Sequence, residues 1–124
     1  MLKKYAKGYR AERSLLFELA KRGFMAIRTP HSGSIGLASP DIIAAKQNKL
    51  IVIECKSHEK AFQIQQDQLT ELKNWQNKAG ADAYIGWKIS RKPWSFMKLD
   101  DVIANNGNIG KKFASEYGIS IEKI

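Results

Sequence analysis

The sequence predicts an α/β fold in which helices flank a mixed five-stranded central sheet. Apolar residues recur at helical spacing near the N-terminus and again after residue 60, and short, mostly apolar runs lie between and after those segments. A helix, three strands, a helix and two more strands favour a sheet covered by helices. The 124 residues, 44% of them hydrophobic, suffice for one core, so residues 1–124 are predicted to form a single domain.

The first helix is predicted over about residues 3–22 and ends at Gly23. Its inward stripe consists of Tyr5, Tyr9, Leu16 and Leu19. Glu12 lies within that apolar stripe, where an acid is unexpected. Considered alone, Glu12 also fits a position at the rim of the helix, paired with Arg13 or Lys7. Its place on the apolar face keeps a functional interpretation open.

The remaining elements follow from runs of apolar residues and the turn residues between them. The predicted strands are 24–28, 41–45, 50–53, 83–88 and 94–97. A second helix is predicted from Lys60 to about Lys78, ended by Gly80, and a short one near Lys111–Tyr117. The tail after about residue 118 is only loosely specified by the sequence.

Two acids are predicted to meet across a hairpin between the second and third strands. A turn centred between Gln47 and Asn48 places Asp41 directly opposite Glu54. Two neighbouring carboxylates repel and raise each other's pKa unless a cation lies between them. Because side chains alternate along a strand, Lys56 shares one face with Glu54, whereas Cys55 lies on the other and is predicted to be a small core residue.

This arrangement suits a magnesium-dependent phosphodiesterase. Magnesium prefers oxygen ligands, and Asp41, Glu54 and the backbone carbonyl of Cys55 would supply them. Glu12 would bind a metal-bound water or a second cation, and Lys56 would orient the attacking water and stabilise charge on the phosphate. Taken separately, Asp41 fits an ordinary strand start and Glu54 with Lys56 a surface ion pair. Their combination favours the catalytic interpretation.

The charge predicts a polyanionic partner. The formal net charge is +9 and the pI about 9.7, which suit nucleic acid or an acidic membrane. Lys3, Lys7 and Arg10 share one helical face, either an ordinary solvated face or a ridge that contacts phosphates. The single cysteine excludes an internal disulfide and a Cys-rich zinc site. No signal peptide or transmembrane run is apparent, so we expect an intracellular protein without a membrane partner.

Four motifs carry a resemblance to a known family. They are Gly8-x-x-x-Glu12-Arg13-x-Leu15, Arg28-x-Pro30-x-Ser32-Gly33, Asp41-Ile42-Ile43-Ala44 and Glu54-Cys55-Lys56. In this order, the chain from about residue 3 to residue 97 resembles archaeal Holliday-junction resolvases of the Hjc type. These belong to the PD-(D/E)xK superfamily, which has the restriction-endonuclease-like fold.

The resemblance implies a homodimer that makes paired, magnesium-dependent cuts in four-way DNA junctions during recombination and repair. Manganese is expected to substitute for magnesium, no small-molecule substrate is expected, and the location implied is the cytoplasm, associated with the nucleoid. By position, the family's metal-binding acids, catalytic lysine and functional loop serine correspond to Glu12, Asp41, Glu54, Lys56 and Ser32. Arg10 and Arg13 correspond to positions where the family's first helix meets DNA, and Gln68 is a weaker correspondence. Further DNA-binding candidates are Lys3, Lys7, Arg28 and Ser32.

Other interpretations remain open at this point. The chain could be a nuclease of the same superfamily that acts on other branched, nicked or foreign DNA, or a catalytically inactive architectural DNA-binding protein. Intact acids at the predicted site argue against the latter, because a binding module gains nothing from carboxylates facing phosphate. The two-fold symmetry of a junction favours a C₂ dimer. The candidate interface residues, which could equally fill the core, are Trp87, Trp94, Phe96 and Met97.

Overall fold

A mixed five-stranded sheet forms the centre of the molecule, as predicted. A computed structural model describes residues 2–30 and 39–124, with side chains from residue 7 onward. The helices are α1 (Leu2–Lys21), α2 (Gln66–Ala79), α3 (Leu99–Ala104) and α4 (Lys111–Tyr117). The strands are β1 (Met25–Arg28), β2 (Ile42–Lys46), β3 (Lys49–Ser57), β4 (Phe62–Gln63), β5 (Asp82–Lys88), β6 (Ser95–Lys98) and β7 (Asn108–Ile109). In the described part of the chain, no helix is both long and apolar enough to cross a membrane.

The sheet has the strand order β1-β2-β3-β5-β6. Neighbouring strands are antiparallel except β3 and β5, which run parallel because α2 carries the chain back between them. The tight turn between β2 and β3 places Asn48 in the left-handed region, with φ of 54°. Pairing runs from Lys46↔Lys49 to Ile42↔Ile53, which confirms the predicted register.

Two hydrophobic layers cover the two faces of the sheet. On one side, here the α2 face, the packed residues include Val52, Leu69, Leu72 and Ile85. On the other, here the α1 face, they include Leu15, Leu19, Ile51 and Ile53. Consecutive residues of β3 therefore contact different helices, so Glu54 and Lys56 continue the row of Val52 on the α2 face, and Cys55 lies on the α1 face.

Strand β3 is longer than its apolar core indicated. Glu54 and Lys56 lie within it rather than after its end, because β5 continues to pair with it through Lys56↔Trp87 and Ser57↔Lys88. The neighbouring strand satisfies the backbone even where the side chains become ionic. The charged residues are consequently held on a hydrogen-bonded strand.

The prediction of a helix beginning at Lys60 was wrong in its first turns. Helix α2 begins at Gln66, and the segment before it contains β4, which pairs with β7. Phe62, whose spacing indicated helix, instead stacks on His58 and packs edge-on against Trp87, with ring centroids 4.9 and 5.2 Å away. The end of α2 was predicted correctly: Gly80 adopts φ of 68° and its N–H donates to the Gln76 carbonyl at 3.1 Å.

The C-terminal segment has more structure than the sequence indicated. Ile119 exchanges two backbone hydrogen bonds with Phe96, at 2.8 and 2.9 Å, and Ile124 is buried in the α1-face core. The four aromatic and apolar residues proposed as an interface are all buried within one chain: Trp87, Trp94, Phe96 and Met97. That interface assignment was therefore wrong, because these side chains fill the core.

Candidate active site

Asp41 ends the antiparallel ladder between β2 and β3. The last regular pair is Ile42↔Ile53, and beyond it the Asp41 Oδ2 atom accepts the Cys55 N–H at 2.8 Å. The Asp41 backbone carbonyl accepts the Thr29 N–H at 2.9 Å. The carboxylate thus replaces a backbone acceptor where pairing stops. Its orientation follows from the register of the hairpin, and it is buried.

Glu54 lies beside Asp41 on the α2 face and is also buried. Its pKa is raised to about 8, first by burial, then by the negative charge of Asp41 and a hydrogen bond with it, while Lys56 opposes the rise. The two acids therefore retain a proton at neutral pH. A carboxylate pair that holds a proton in this way can exchange it for a cation, as predicted for a metal site.

Lys56 and Gln68 complete the cluster on this face. The Lys56 Nζ atom lies 3.6 Å from Glu54 Oε2 and 3.4 Å from Gln68 Oε1. The Gln68 amide, in the first turn of α2, donates to Glu54 Oε2 at 3.3 Å. Gln68 thus bridges the acid and the lysine, a much more specific placement than the sequence indicated.

Glu12 reaches the site from the other side of the sheet. Its buried carboxylate lies on the α1 face, where Arg28 Nε donates to Oε1 at 2.7 Å. The Arg28 guanidinium also lies 4.9 Å from the centroid of the Tyr9 ring. The alternative pairing of Glu12 with Lys7 or Arg13 at the rim of the helix was wrong. Arg28, predicted only as a DNA contact, is the residue that holds Glu12.

The three acids surround Cys55. Burial raises the pKa of its thiol, and the charges of Asp41, Glu12 and Glu54 raise it further. As predicted, Cys55 packs against the core on the face away from Lys56. Among the described residues, no three His, Cys, Asp or Glu side chains converge into a metal-binding group. The acids are divided between the two faces of the sheet, which accounts for the lack of such a group among these residues. Metal binding by Glu12 or by the Cys55 carbonyl stays a prediction.

The predicted DNA-binding residues differ in their surroundings. Lys7 pairs with Glu59 at 2.9 Å, and the Arg13 guanidinium lies 5.6 Å from the Phe17 ring centroid. Arg10 is exposed. Ser32 lies outside the described residues, as does the side chain of Lys3. Their contacts with DNA therefore stay predictions.

Comparison with known proteins identifies the family. Residues 3–124 match the family described as archaeal Holliday junction resolvase (Hjc). A crossover junction endodeoxyribonuclease Hjc from Archaeoglobus fulgidus is 39% identical over 118 residues, which cover 94% of this chain and 86% of that protein. The corresponding protein from Sulfolobus acidocaldarius is 36% identical over 99 residues, covering 77% and 68%.

The fold agrees with that assignment. The 1.6 Å structure of Archaeoglobus fulgidus Hjc, a Holliday junction resolvase from an archaeal hyperthermophile, superposes with a TM-score of 0.83 and 30% identity. The superposition covers 94% of this chain and 98% of that one. The chain belongs to the archaeal Holliday junction resolvase (Hjc) family.

Proposed function

We propose that the protein is a structure-selective endonuclease that resolves four-way DNA junctions by metal-dependent hydrolysis of phosphodiester bonds. The observation that carries the proposal is the buried pair of Asp41 and Glu54, joined to Lys56 on one face of the sheet. The relatives in the same family are crossover junction endodeoxyribonucleases, which supports this substrate.

The donor set on the α2 face fits magnesium. Glu54 keeps a proton beside Asp41 that a divalent cation would replace. Magnesium usually takes one or two carboxylates and completes its shell with water and phosphate oxygens. When bound, it supplies an activated water nucleophile and neutralises charge on the phosphate. The Cys55 carbonyl is proposed as a further oxygen ligand, Glu12 as the group that would bind a water of the metal or a second cation, and manganese as a substitute metal.

The surrounding residues position and stabilise the reacting groups. Lys56 donates to the phosphate oxygens as negative charge builds on them. Gln68 holds the Lys56 ammonium and the Glu54 carboxylate in a fixed relation through its contacts of 3.4 and 3.3 Å. The Cys55 N–H fixes Asp41, and Arg28 fixes Glu12. Each acid is therefore oriented before DNA arrives.

Recognition is proposed to rest on backbone charge and junction shape. The net charge of +9 favours binding to phosphates, and no motif for reading base edges is present in the sequence. Lys3, Lys7, Arg10 and Arg13 on α1 would contact the DNA backbone, and Ser32, which precedes β2 in the sequence, would act beside them. A homodimer would present two equivalent sites to the two-fold symmetric junction and thus cut it twice.

Cleavage of a fixed synthetic four-way junction, compared with a linear duplex of the same sequence, tests this function. The reactions would contain either magnesium or EDTA. Paired, magnesium-dependent cuts confined to the junction are expected. Equal cutting of both substrates would contradict junction selectivity, and junction binding without any cutting would contradict catalysis.

A further inference from the structure

One carboxylate oxygen on the surface gathers three hydrogen-bond donors. Glu59, in the loop between β3 and β4, accepts at Oε2 from Lys7 Nζ at 2.9 Å. The same oxygen accepts the Ser90 N–H at 3.0 Å and the Ser90 hydroxyl at 2.9 Å. An ammonium, a backbone N–H and a hydroxyl around a single oxygen are the donors that proteins use for phosphate.

The surroundings of Glu59 are basic. The turn that carries Ser90 contains Lys88, Arg91 and Lys92 and no acid between residues 88 and 93. The hydrogen bond from Lys7 and then the two from Ser90 lower the pKa of Glu59 to about 2. The carboxylate is therefore ionised throughout the physiological range. It places a negative charge beside these basic residues.

The three residues lie at the same end of the sheet as the catalytic cluster. Glu59 follows Lys56 by three positions, and Ser90 follows Lys88, which pairs with Ser57. Lys7 precedes Glu12 on α1 by five residues, about 7.5 Å along the helix axis. The side chains of Lys7 and Glu59 are 39% and 51% exposed, so both are accessible to a DNA backbone.

We propose that Lys7 and Ser90 form a phosphate-binding subsite for the backbone of the DNA substrate, which Glu59 occupies in the free protein. A phosphate oxygen accepts the same three donors, and the exposed Glu59 side chain moves out into solvent. The inference rests on the proposed DNA substrate. It explains why an acid lies on a surface that otherwise carries positive charge, since Glu59 keeps the donors in place until a phosphate displaces it.

Binding without cleavage isolates this exchange. Fluorescence anisotropy with a labelled four-way junction in EDTA would compare Glu59→Gln with Glu122→Gln, both of which remove one exposed negative charge. Glu122 is 77% exposed and pairs with Arg22, far along the sequence from the proposed subsite. Glu59→Gln is expected to bind about fivefold more tightly than the control, because the phosphate no longer competes with a carboxylate.

The salt dependence and a second substitution sharpen the test. Because the phosphate contacts the same donors in Glu59→Gln and in Glu122→Gln, the slope of log K against log [salt] should differ between the two proteins by less than the value of about 0.9 that a whole additional phosphate contact would add. Ser90→Ala, which removes the hydroxyl donor, should weaken junction binding. In the double variant Glu59→Gln/Ser90→Ala, most of the increase in affinity caused by Glu59→Gln should be lost. Thermal unfolding of each variant would verify that the fold is unchanged.

Two results would overturn the subsite. Equal affinities for Glu59→Gln and Glu122→Gln would show only a general charge effect. Weaker binding by a folded Glu59→Gln protein would show that the carboxylate supports DNA binding rather than occupying a phosphate position. If the proposed function fails, the unsubstituted protein will bind junction and duplex with equal affinity. The affinities of Glu59→Gln and Glu122→Gln can still be compared on either DNA in that case.

Discussion

The two faces of the sheet carry acids in contrasting electrostatic surroundings. On the α1 face, the Arg28 guanidinium contacts Glu12 at 2.7 Å. On the α2 face, Glu54 lies beside Asp41, and the Lys56 ammonium lies 3.6 Å from Glu54. Burial and the charge of Asp41 raise the pKa of Glu54 to about 8 in spite of that lysine. The difference favours the α2 face as the place of a cation, because there the neighbouring carboxylates raise the pKa of Glu54.

The largest effect expected is the loss of cleavage in Asp41→Asn. The substitution removes the negative charge while leaving an amide oxygen that can accept the Cys55 N–H. Single-turnover cleavage of a four-way junction should slow by about 10³-fold or more, as when other catalytic groups are removed. Binding should persist.

Asp82→Asn, at the exposed start of β5, is the matched control and should cleave normally. If Asp41→Asn cleaved at the rate of the unsubstituted protein, Asp41 would not belong to the catalytic site. The proposed difference between the two faces would then be wrong.

The second prediction concerns stability against pH without metal. Glu54 has a pKa of about 8 in the folded protein and an ordinary value of 4.5. The stabilising proton is thus fully present below about pH 4.5 and is lost as pH rises through about 8. The free energy of unfolding should fall by about 2 kcal/mol between pH 6 and pH 8, because the slope of about 1.4 kcal/mol per pH unit flattens as Glu54 loses its proton near pH 8.

Urea unfolding in EDTA, with the unsubstituted protein and Glu54→Gln side by side, measures that fall. The difference between the two proteins removes the contribution of other titrating groups. Glu54→Gln should lose most of the pH dependence, whereas parallel curves would show that Glu54 titrates normally.

Arg28→Ala should destabilise the α1 face. It removes the guanidinium bonded to the Glu12 carboxylate, and buried pairs lose about 3–5 kcal/mol when one partner is removed. Because Arg28 keeps 23% of its side-chain surface exposed, we expect a smaller loss of about 2–3 kcal/mol. Chemical unfolding at pH 7 measures it.

Arg10→Ala, on the exposed surface of α1, should change stability by less than about 0.5 kcal/mol. In Arg28→Ala/Glu12→Gln, removing the charge left behind should restore part of the loss. Additive losses in this double variant would mean that the two side chains are not coupled.

The smallest effect is expected for Gln68→Ala. Loss of the contacts at 3.3 and 3.4 Å frees Glu54 and Lys56 without removing either group. The cleavage rate should fall about tenfold with little change in junction affinity. Gln66→Ala, exposed at the start of the same helix, is the control. Equal loss of affinity and rate would instead place Gln68 among the DNA contacts.

The parts of this structure that the sequence predicted depend on local geometry. A two-residue turn fixes the hairpin register, so the position of Asp41 opposite Glu54 followed from counting residues. Alternation along β3 similarly separated Lys56 from Cys55. The helix end at Gly80 followed from the left-handed conformation that glycine adopts readily.

The parts that it missed depend on how distant elements pack. Arg28 meets Glu12 because β1 packs against α1, and Gln68 meets Lys56 because the first turn of α2 lies near the end of β3. Among neighbouring glutamines, nothing in the spacing distinguishes Gln68. Phe62 has helical spacing but lies in β4 and packs against Trp87. The residues proposed as an interface are needed for the two core layers.

The assignment of the cation to the α2 face is tested most directly by metal binding in two single variants. Titration with Mn²⁺ at pH 8, followed by the electron paramagnetic resonance signal of the free ion, would compare Asp41→Asn and Glu12→Gln with the unsubstituted protein. If the cation binds on the α2 face, Asp41→Asn loses the tightest Mn²⁺ site and Glu12→Gln keeps it. Retention of that site in Asp41→Asn, with its loss in Glu12→Gln, would contradict the assignment of the cation to the α2 face.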